Sequence, residues 1–345
     1  MQTRITKLFG IKYPIILPGM SWISVPELVA AVCNAGGIGW LATGPLSTEQ
    51  TREAVKKIRK LTDKPFGAGA TLLMPGAREN AEVLLEEEVP VINVSLGKCD
   101  WIAARAHKYG GKVIATVVNE RHALAAESQG ADALQVTGHE AAAHGGFVTT
   151  LVLVPTIVRK VKIPVVAIGG FADGHGLAAA LALGADGIGM GTRLSLTKES
   201  PVHEITKRAQ IEGSIEDTMY SNRFDGLWCR VMKTPRAEKT IRKGMSLPRA
   251  AIASRRIARE LNLPWFKLAI GSMVKGPKTM IQLAHMATAF DKIKMATEDG
   301  DLKKGVHLTG QVQGIIDDVP TVAEVIERTV KEAQEVCRNM GTMLA

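Results

Sequence analysis

Two short apolar runs that end in glycines constrain this chain more than anything else in it. The first is Val165-Val166-Ala167-Ile168-Gly169-Gly170, continuing as Phe171-Ala172-Asp173-Gly174; the second is Gly187-Ile188-Gly189-Met190-Gly191-Thr192-Arg193. Between them lies a compact Ala- and Leu-rich helical stretch, Gly176 to Gly184. Parallel strands joined by a helix and ending in bare backbone present N–H groups that can surround a phosphate. In a (β/α)8 barrel, the loops after the last two strands are where a phosphate is expected. The plainer alternative is that these glycines only make tight turns and allow close helix packing. A dinucleotide-binding fingerprint does not fit, because no Gly-x-Gly-x-x-Gly opens a helix here.

The rest of the first 200 residues repeats the same alternation. Candidate strands are Pro14–Leu17, Gly37–Thr43, Pro65–Leu72, Val91–Ser95, Lys112–Val117, Ala133–Thr137, Pro164–Gly169 and Gly187–Gly191. They are almost continuously apolar, as strands with helices on one face and a core on the other must be. Amphipathic helices such as Thr48–Leu61 and Glu120–Gln129 lie between them, at a spacing that suits βα units. Eight units predict an α/β fold, a closed (β/α)8 TIM barrel, over an open doubly wound sheet. After Arg193 the pattern changes: residues 220–305 carry many charges and Pro235, Pro248, Pro264 and Pro277 without strand alternation. The expected organisation is a barrel over 1–219, a helical insertion or lid over 220–305 near the C-terminus, and a segment over 306–345 that packs back on the barrel. An amphipathic helix, Thr321–Arg338, with Val322, Val325, Ile326 and Val330 on one face, does that packing.

Composition narrows the class. With 345 residues and 46% apolar content the chain can bury a large core. No apolar run approaches the roughly 18 residues needed to span a bilayer, and the first ten residues lack the apolar core of a secretory signal. The four cysteines, Cys33, Cys99, Cys229 and Cys337, form no Cys-x-x-Cys pair, which suits a reducing compartment rather than a disulfide framework or zinc site. A cytoplasmic protein without a membrane partner is expected. The net charge of +9 is uneven, since residues 221–304 hold 18 Lys and Arg against 7 Asp and Glu. Aromatics make up only 4% of the chain and no nucleic-acid-binding motif accompanies the charge, so no nucleic-acid partner is expected. An anionic small molecule or a phosphate-bearing carrier fits the localised charge better, with a merely solvated basic face as the alternative.

Catalytic groups of such barrels stand at strand C-termini. After the sixth strand comes Gly138-His139-Glu140-Ala141-Ala142-Ala143-His144-Gly145-Gly146. His144 lies among small residues that let a ring or substrate approach, and a histidine can act as a general base near neutral pH. A lone loop histidine is more often a surface residue. Glu140 has three readings: orienting a histidine, pairing with an arginine, or being solvated. His139 and His144 lack the further ligands a metal site needs, and His175 reads as flanking a helix start. Gly19-Met20, ending the first strand, sets bare backbone and a polarisable thioether where a flat ring could lie, or else Met20 and Trp22 simply fill a core.

Taken together these segments resemble the nitronate monooxygenase family, which includes 2-nitropropane dioxygenase-like proteins and has enoyl-acyl-carrier-protein reductase II and an FMN-dependent NADH:quinone reductase as close relatives. The resemblance runs from Pro14-Ile15 and Gly19-Met20 through Asn34-Ala35-Gly36-Gly37 and Pro65-Phe66-Gly67. It continues through Glu140 to Gly145, Gly169 to Gly174 and Met190 to Arg193, and ends at Gly310-Gln311-Val312-Gln313-Gly314. It implies a TIM barrel that holds FMN noncovalently. The phosphate would rest on Gly169, Gly170, Gly191 and Thr192, and the ring near Gly19 and Met20. His144 would match the family's catalytic histidine, with Ala143 and Gln311 approaching the cofactor. The chain departs from the family at Leu17-Pro18, at Thr116 and Thr137, at Ala143, which replaces a glycine, and at Gly69, which lacks a flavin-touching amide.

The first functional reading is therefore an FMN-dependent oxidoreductase that oxidises alkyl nitronates with O2. The second is an NAD(P)H-dependent FMN reductase of an enoyl thioester or a quinone, with NAD(P)H as co-substrate. A flavin-binding protein without turnover is the third. A small-molecule substrate is common to the first two, and a homodimer is compatible with all three.

Overall fold

The computed structural model describes residues 1–142, 144–243, 255, 259, 265 and 277–344. Eight parallel strands, β1 (Ile15–Leu17), β2 (Ile38–Ala42), β3 (Gly67–Thr71), β4 (Val91–Ser95), β5 (Lys112–Val117), β6 (Ala133–Thr137), β7 (Val165–Ile168) and β8 (Gly187–Gly189), pair in sequence order. The ring closes where β1 meets β8, with Ile15 opposite Ile188 and Ile16 opposite Gly189. This is the (β/α)8 barrel that the eight-fold alternation predicts.

The helices on and around it are α1 (Arg4–Phe9), α2 (Pro26–Asn34), α3 (Thr48–Leu61), α4 (Ala77–Glu86), α5 (Asp100–Ala106), α6 (Glu120–Ser128), α7 (Thr150–Val158), α8 (Gly174–Ala182), α9 (Thr192–Ser195) and α10 (Glu204–Ile211). Local sequence explains their starts. Ser47 and Gln50 form a reciprocal capping box at the head of α3, which then buries Thr51, Val55 and Ile58. At the N-terminal end of the barrel, Arg4 of α1 pairs with Asp186, just before β8, at 2.7 Å, and Phe9 meets Trp40 edge-on at 5.9 Å. Trp40 fills the barrel interior because β3 begins with Gly67, where any Cβ would collide with the indole.

Beyond the barrel the structure departs from expectation at one point. The segment after residue 219 is not free of strands: β9 (Thr218–Ser221) and β10 (Cys229–Met232) form an antiparallel hairpin. Each strand is only four residues long, and the buried Arg230 breaks the alternation that would have revealed the second. Helices α11 (Pro235–Lys243) and α12 (Pro277–Thr297) follow, while the middle of the expected helical insertion, including Pro248 and Pro264, lies outside the described residues. Helix α13 (Val322–Leu344) returns to the barrel with Val322, Val325, Ile326 and Val330 buried. Glu332 accepts from the Gly174 N–H at 2.7 Å, and a Cβ at Gly174 would strike the α13 backbone. No helix among the described residues is long and apolar enough to cross a membrane.

Candidate active site

The C-terminal ends of the strands surround a cavity of about 580 Å³. Its floor is polar and fully engaged. Trp40 Nε1 donates to Gln135 Oε1 at 2.9 Å, Gln135 Nε2 donates to Thr116 Oγ1 at 3.2 Å, and Asn93 Nδ2 donates to the same hydroxyl at 3.0 Å. Such a network, drawn from four strands, fixes the side chains on which a ligand would rest.

The rim is glycine. Gly19, Gly169, Gly170 and Gly191 line the cavity together with Met20 and Thr192. Gly169 and Gly170 have φ of 109° and 86°, a conformation that glycine alone adopts without strain. A supporting chain holds that turn. The Glu140 carboxylate accepts from the Thr150 N–H at 3.0 Å, and Thr150 Oγ1 lies 2.8 Å from Glu140 Oε2 and 2.9 Å from the Gly169 carbonyl, its one hydrogen serving either. Glu140 thus satisfies the free N–H at the buried start of α7 and steadies the glycines, a role different from the three read in the sequence.

His144 faces the same cavity, and its Nε2 lies 2.8 Å from Asp225 Oδ2. Asp225 hangs in the turn between β9 and β10 and is 5% exposed, too buried for water to screen the pair well. Burial by itself would raise its pKa. The His144 charge and hydrogen bond, the Leu227 N–H at 3.0 Å and the Cys229 thiol outweigh burial and hold the carboxyl below its ordinary range. An ionised Asp225 accepts the Nε2 hydrogen, which leaves His144 Nδ1 as the nitrogen available for proton exchange. The loop that carries His144 is clamped from the hairpin: Tyr220 Oη donates to the Gly145 carbonyl at 2.7 Å, and an Arg230 guanidinium nitrogen donates to the His139 carbonyl at 2.9 Å.

The roof comes from α12, through Met286, Ala289, Phe290, Ile293 and Thr297. Phe290 meets Trp22 edge-on at 5.1 Å. Trp22 has φ of 62°, a strained setting for a bulky residue, so the loop bearing Gly19 and Met20 is held against the roof at some cost. His307 also lines the cavity. It is 1% exposed, its Nε2 has no partner among the described residues, and burial drives its pKa down to about 4. A neutral imidazole with one buried, unsatisfied nitrogen beside a cavity leaves a hydrogen bond unmade.

The structure thus gathers His144, Gly19, Met20, Gly169, Gly170, Gly191 and Thr192 around one space. Gly69 is buried in β3, its carbonyl accepting from Thr43 Oγ1 at 2.6 Å, and does not line the cavity. Its register partner is Asn93, so an amide missing from β3 is present on the adjacent strand. Gln311 contributes a backbone N–H to the Glu140 carbonyl at 3.0 Å, while Gly310 and Val312 on either side of it line the cavity. Ala143 lies outside the described residues. His175 pairs with Glu332 at 3.0 Å near the start of α8, away from the cavity lining, as a helix-flanking residue would. Asp225 and His307 went unseen in the sequence; the isolated polar residues in Phe224-Asp225-Gly226 and Val306-His307-Leu308 are the only signal they leave.

A (β/α)8 barrel whose strand ends enclose a carboxylate-backed histidine is an enzyme architecture. The chain belongs to the nitronate monooxygenase family, whose model matches residues 2–332. It is similar to a (3aS,4S,5R,7aS)-5-hydroxy-7a-methyl-1-oxo-octahydro-1H-indene-4-carboxyl-CoA dehydrogenase of Rhodococcus jostii, with 34% identity over 100% of this chain and 99% of that protein. A probable nitronate monooxygenase of Staphylococcus aureus is 30% identical over 66% of this chain and 78% of its own length. The solved structure of FabK from Thermotoga maritima superposes with a TM-score of 0.84 at 34% identity, covering 99% of both chains. Family and relatives make the chain an oxidoreductase.

Proposed function

We propose that this oxidoreductase binds FMN and acts on a coenzyme A thioester, exchanging electrons with NAD(P)H. The glycine rim fits the cofactor. A Cβ at Gly170 would make only ordinary contact, with the Glu140 side chain at 3.5 Å, so the backbone there is open to close approach, and a cavity of about 580 Å³ is of the size that small-ligand sites occupy. Bound FMN would supply the two-electron chemistry. The protein's own part is to hold the ring against Gly19 and Met20, keep water out beneath α12, and give or take a proton at His144 Nδ1 while Asp225 fixes the imidazole through Nε2.

The observation that carries the choice of substrate is that similarity to the CoA dehydrogenase spans the whole chain, whereas similarity to the nitronate monooxygenase covers 66% of it. A nitronate is the second reading, favoured by the family model over residues 2–332; the same histidine would then face the nitronate. Anaerobic spectra separate the two. NADH or NADPH should bleach the flavin band, and a 2-enoyl-CoA should restore it. Bleaching by an alkyl nitronate, with no response to nicotinamide and thioester, would overturn the thioester reading.

Gly170 tests the cofactor site. Valine at φ of 86° is strained by roughly 1–2 kcal/mol, and its branches would press on Glu140 and crowd the backbone assigned to the phosphate. The Gly170→Val protein should fold, melt several degrees lower and come off the column colourless. A yellow, fully loaded variant would place the phosphate elsewhere.

A further inference from the structure

A second cavity, an open groove of about 780 Å³, lies between the β9–β10 hairpin and α11. One wall is aromatic. Tyr220 and Trp228 stack with centroids 5.2 Å apart and planes at 21°, and Phe147, 66% exposed, meets Trp228 edge-on at 4.9 Å. Trp228 itself is left 39% exposed in the groove. The other wall is basic: Arg223, Lys239 and Arg242 are exposed, and none is paired with an acid among the described residues. Among the described residues that line the groove the single acid is Glu238. An exposed indole stacked on a half-buried tyrosine, beside unpaired cations, forms a surface that suits a flat heterocycle carrying phosphates.

The groove is joined to the reacting end of the molecule. Tyr220, which lines it, bonds the Gly145 carbonyl next to His144, and the turn that supplies Arg223 and Trp228 also supplies Asp225. A ligand that fits both places has a phosphorylated nucleotide at one end and a reactive carbon at the other. We propose that the groove binds the phosphorylated adenosine end of a coenzyme A thioester whose acyl end reaches His144. This rests on the thioester reading above. NADPH carries a related adenosine with its phosphate at the 2′ rather than the 3′ position, so the test has an arm for each.

The test uses the flavin-loaded wild type, Trp228→Ala, and the double variant Arg223→Glu with Lys239→Glu. All three exchanges fall at exposed positions, and circular dichroism checks that the fold is kept. Calorimetry should give a dissociation constant for CoA, and for adenosine 3′,5′-bisphosphate, that weakens at least tenfold in the double variant and severalfold in Trp228→Ala. The KM for an acyl-CoA, divided by that for the N-acetylcysteamine thioester of the same acyl group, should rise at least tenfold. Equal CoA affinity in wild type and variants would overturn the groove while leaving the thioester reading intact. Weakened NADPH binding with CoA binding unaffected would overturn the assignment to coenzyme A. Weakened CoA binding in a protein that turns over no thioester would leave the groove standing and overturn the function proposed above.

Discussion

Exchanging Asp225 for asparagine should lower turnover about 10²- to 10⁴-fold with little change in binding of the proposed cofactor, because the carboxylate holds His144 through Nε2 and so fixes its orientation. The amide can still meet Nε2 at 2.8 Å, but it offers a neutral partner where the histidine now has a charge. His144→Ala should cost at least 10²-fold, and the double variant should be hardly worse than the poorer single one, since the two act as a unit. Steady-state kinetics on the three proteins check this. Full activity in Asp225→Asn would mean that the pair is structural only. The sign of the linked stability effect is also fixed. A carboxyl held below its ordinary pKa contributes stability above the unfolded-state value, near 4, and loses it as pH falls through the lower folded value.

His307→Phe should move stability and ligand affinity in opposite directions. In the wild type an unpartnered nitrogen is buried, which costs on the order of 1–3 kcal/mol, and phenylalanine removes it with a somewhat larger ring that the adjoining cavity can admit. The histidine also carries an acid liability. Its folded pKa of about 4 lies below its ordinary 6.5, so as pH drops through that window the unfolded chain takes up a proton that the folded chain refuses, a loss approaching about 3 kcal/mol. The variant should therefore melt higher than wild type at pH 4.5 and differ less at pH 7.5. Cavity ligands should bind it about tenfold more weakly. A wild-type melting temperature that does not fall faster than the variant's between those pH values would show that His307 is not buried in its neutral form.

The barrel was legible because its strands are short, largely apolar runs recurring between helical stretches, and the ends of β4, β5 and β6 fall where the residues alone place them. The glycine rim and His144 were legible for the same local reason. The groups that complete the site were not. Asp225 stands 81 positions from His144 and joins it only through a hairpin whose strands are too short to show alternation. His307 has no motif; its burial depends on α12 and β10, which only tertiary packing brings together. Asn93 reads as an ordinary strand residue until the register of β3 and β4 sets it opposite Gly69. Glu140 looked available for chemistry, and the distant start of α7 claims it instead.

The bonds from the Gly310 N–H to the Thr192 hydroxyl at 3.0 Å and from the Gln311 N–H to the Glu140 carbonyl at 3.0 Å have a consequence for how the protein comes into being. During synthesis all eight strands are present once Gly189 has emerged, though the core still lacks the face of α13, and domains generally fold as units from the N-terminal side first. The cavity wall, however, waits for a stretch of chain made much later. A nascent barrel is thus born open-mouthed, and its histidine loop lacks both Asp225 and the C-terminal tether until the last third of translation. Capture of any cavity ligand in its final setting is therefore a late event in this protein's life rather than a seed for its folding.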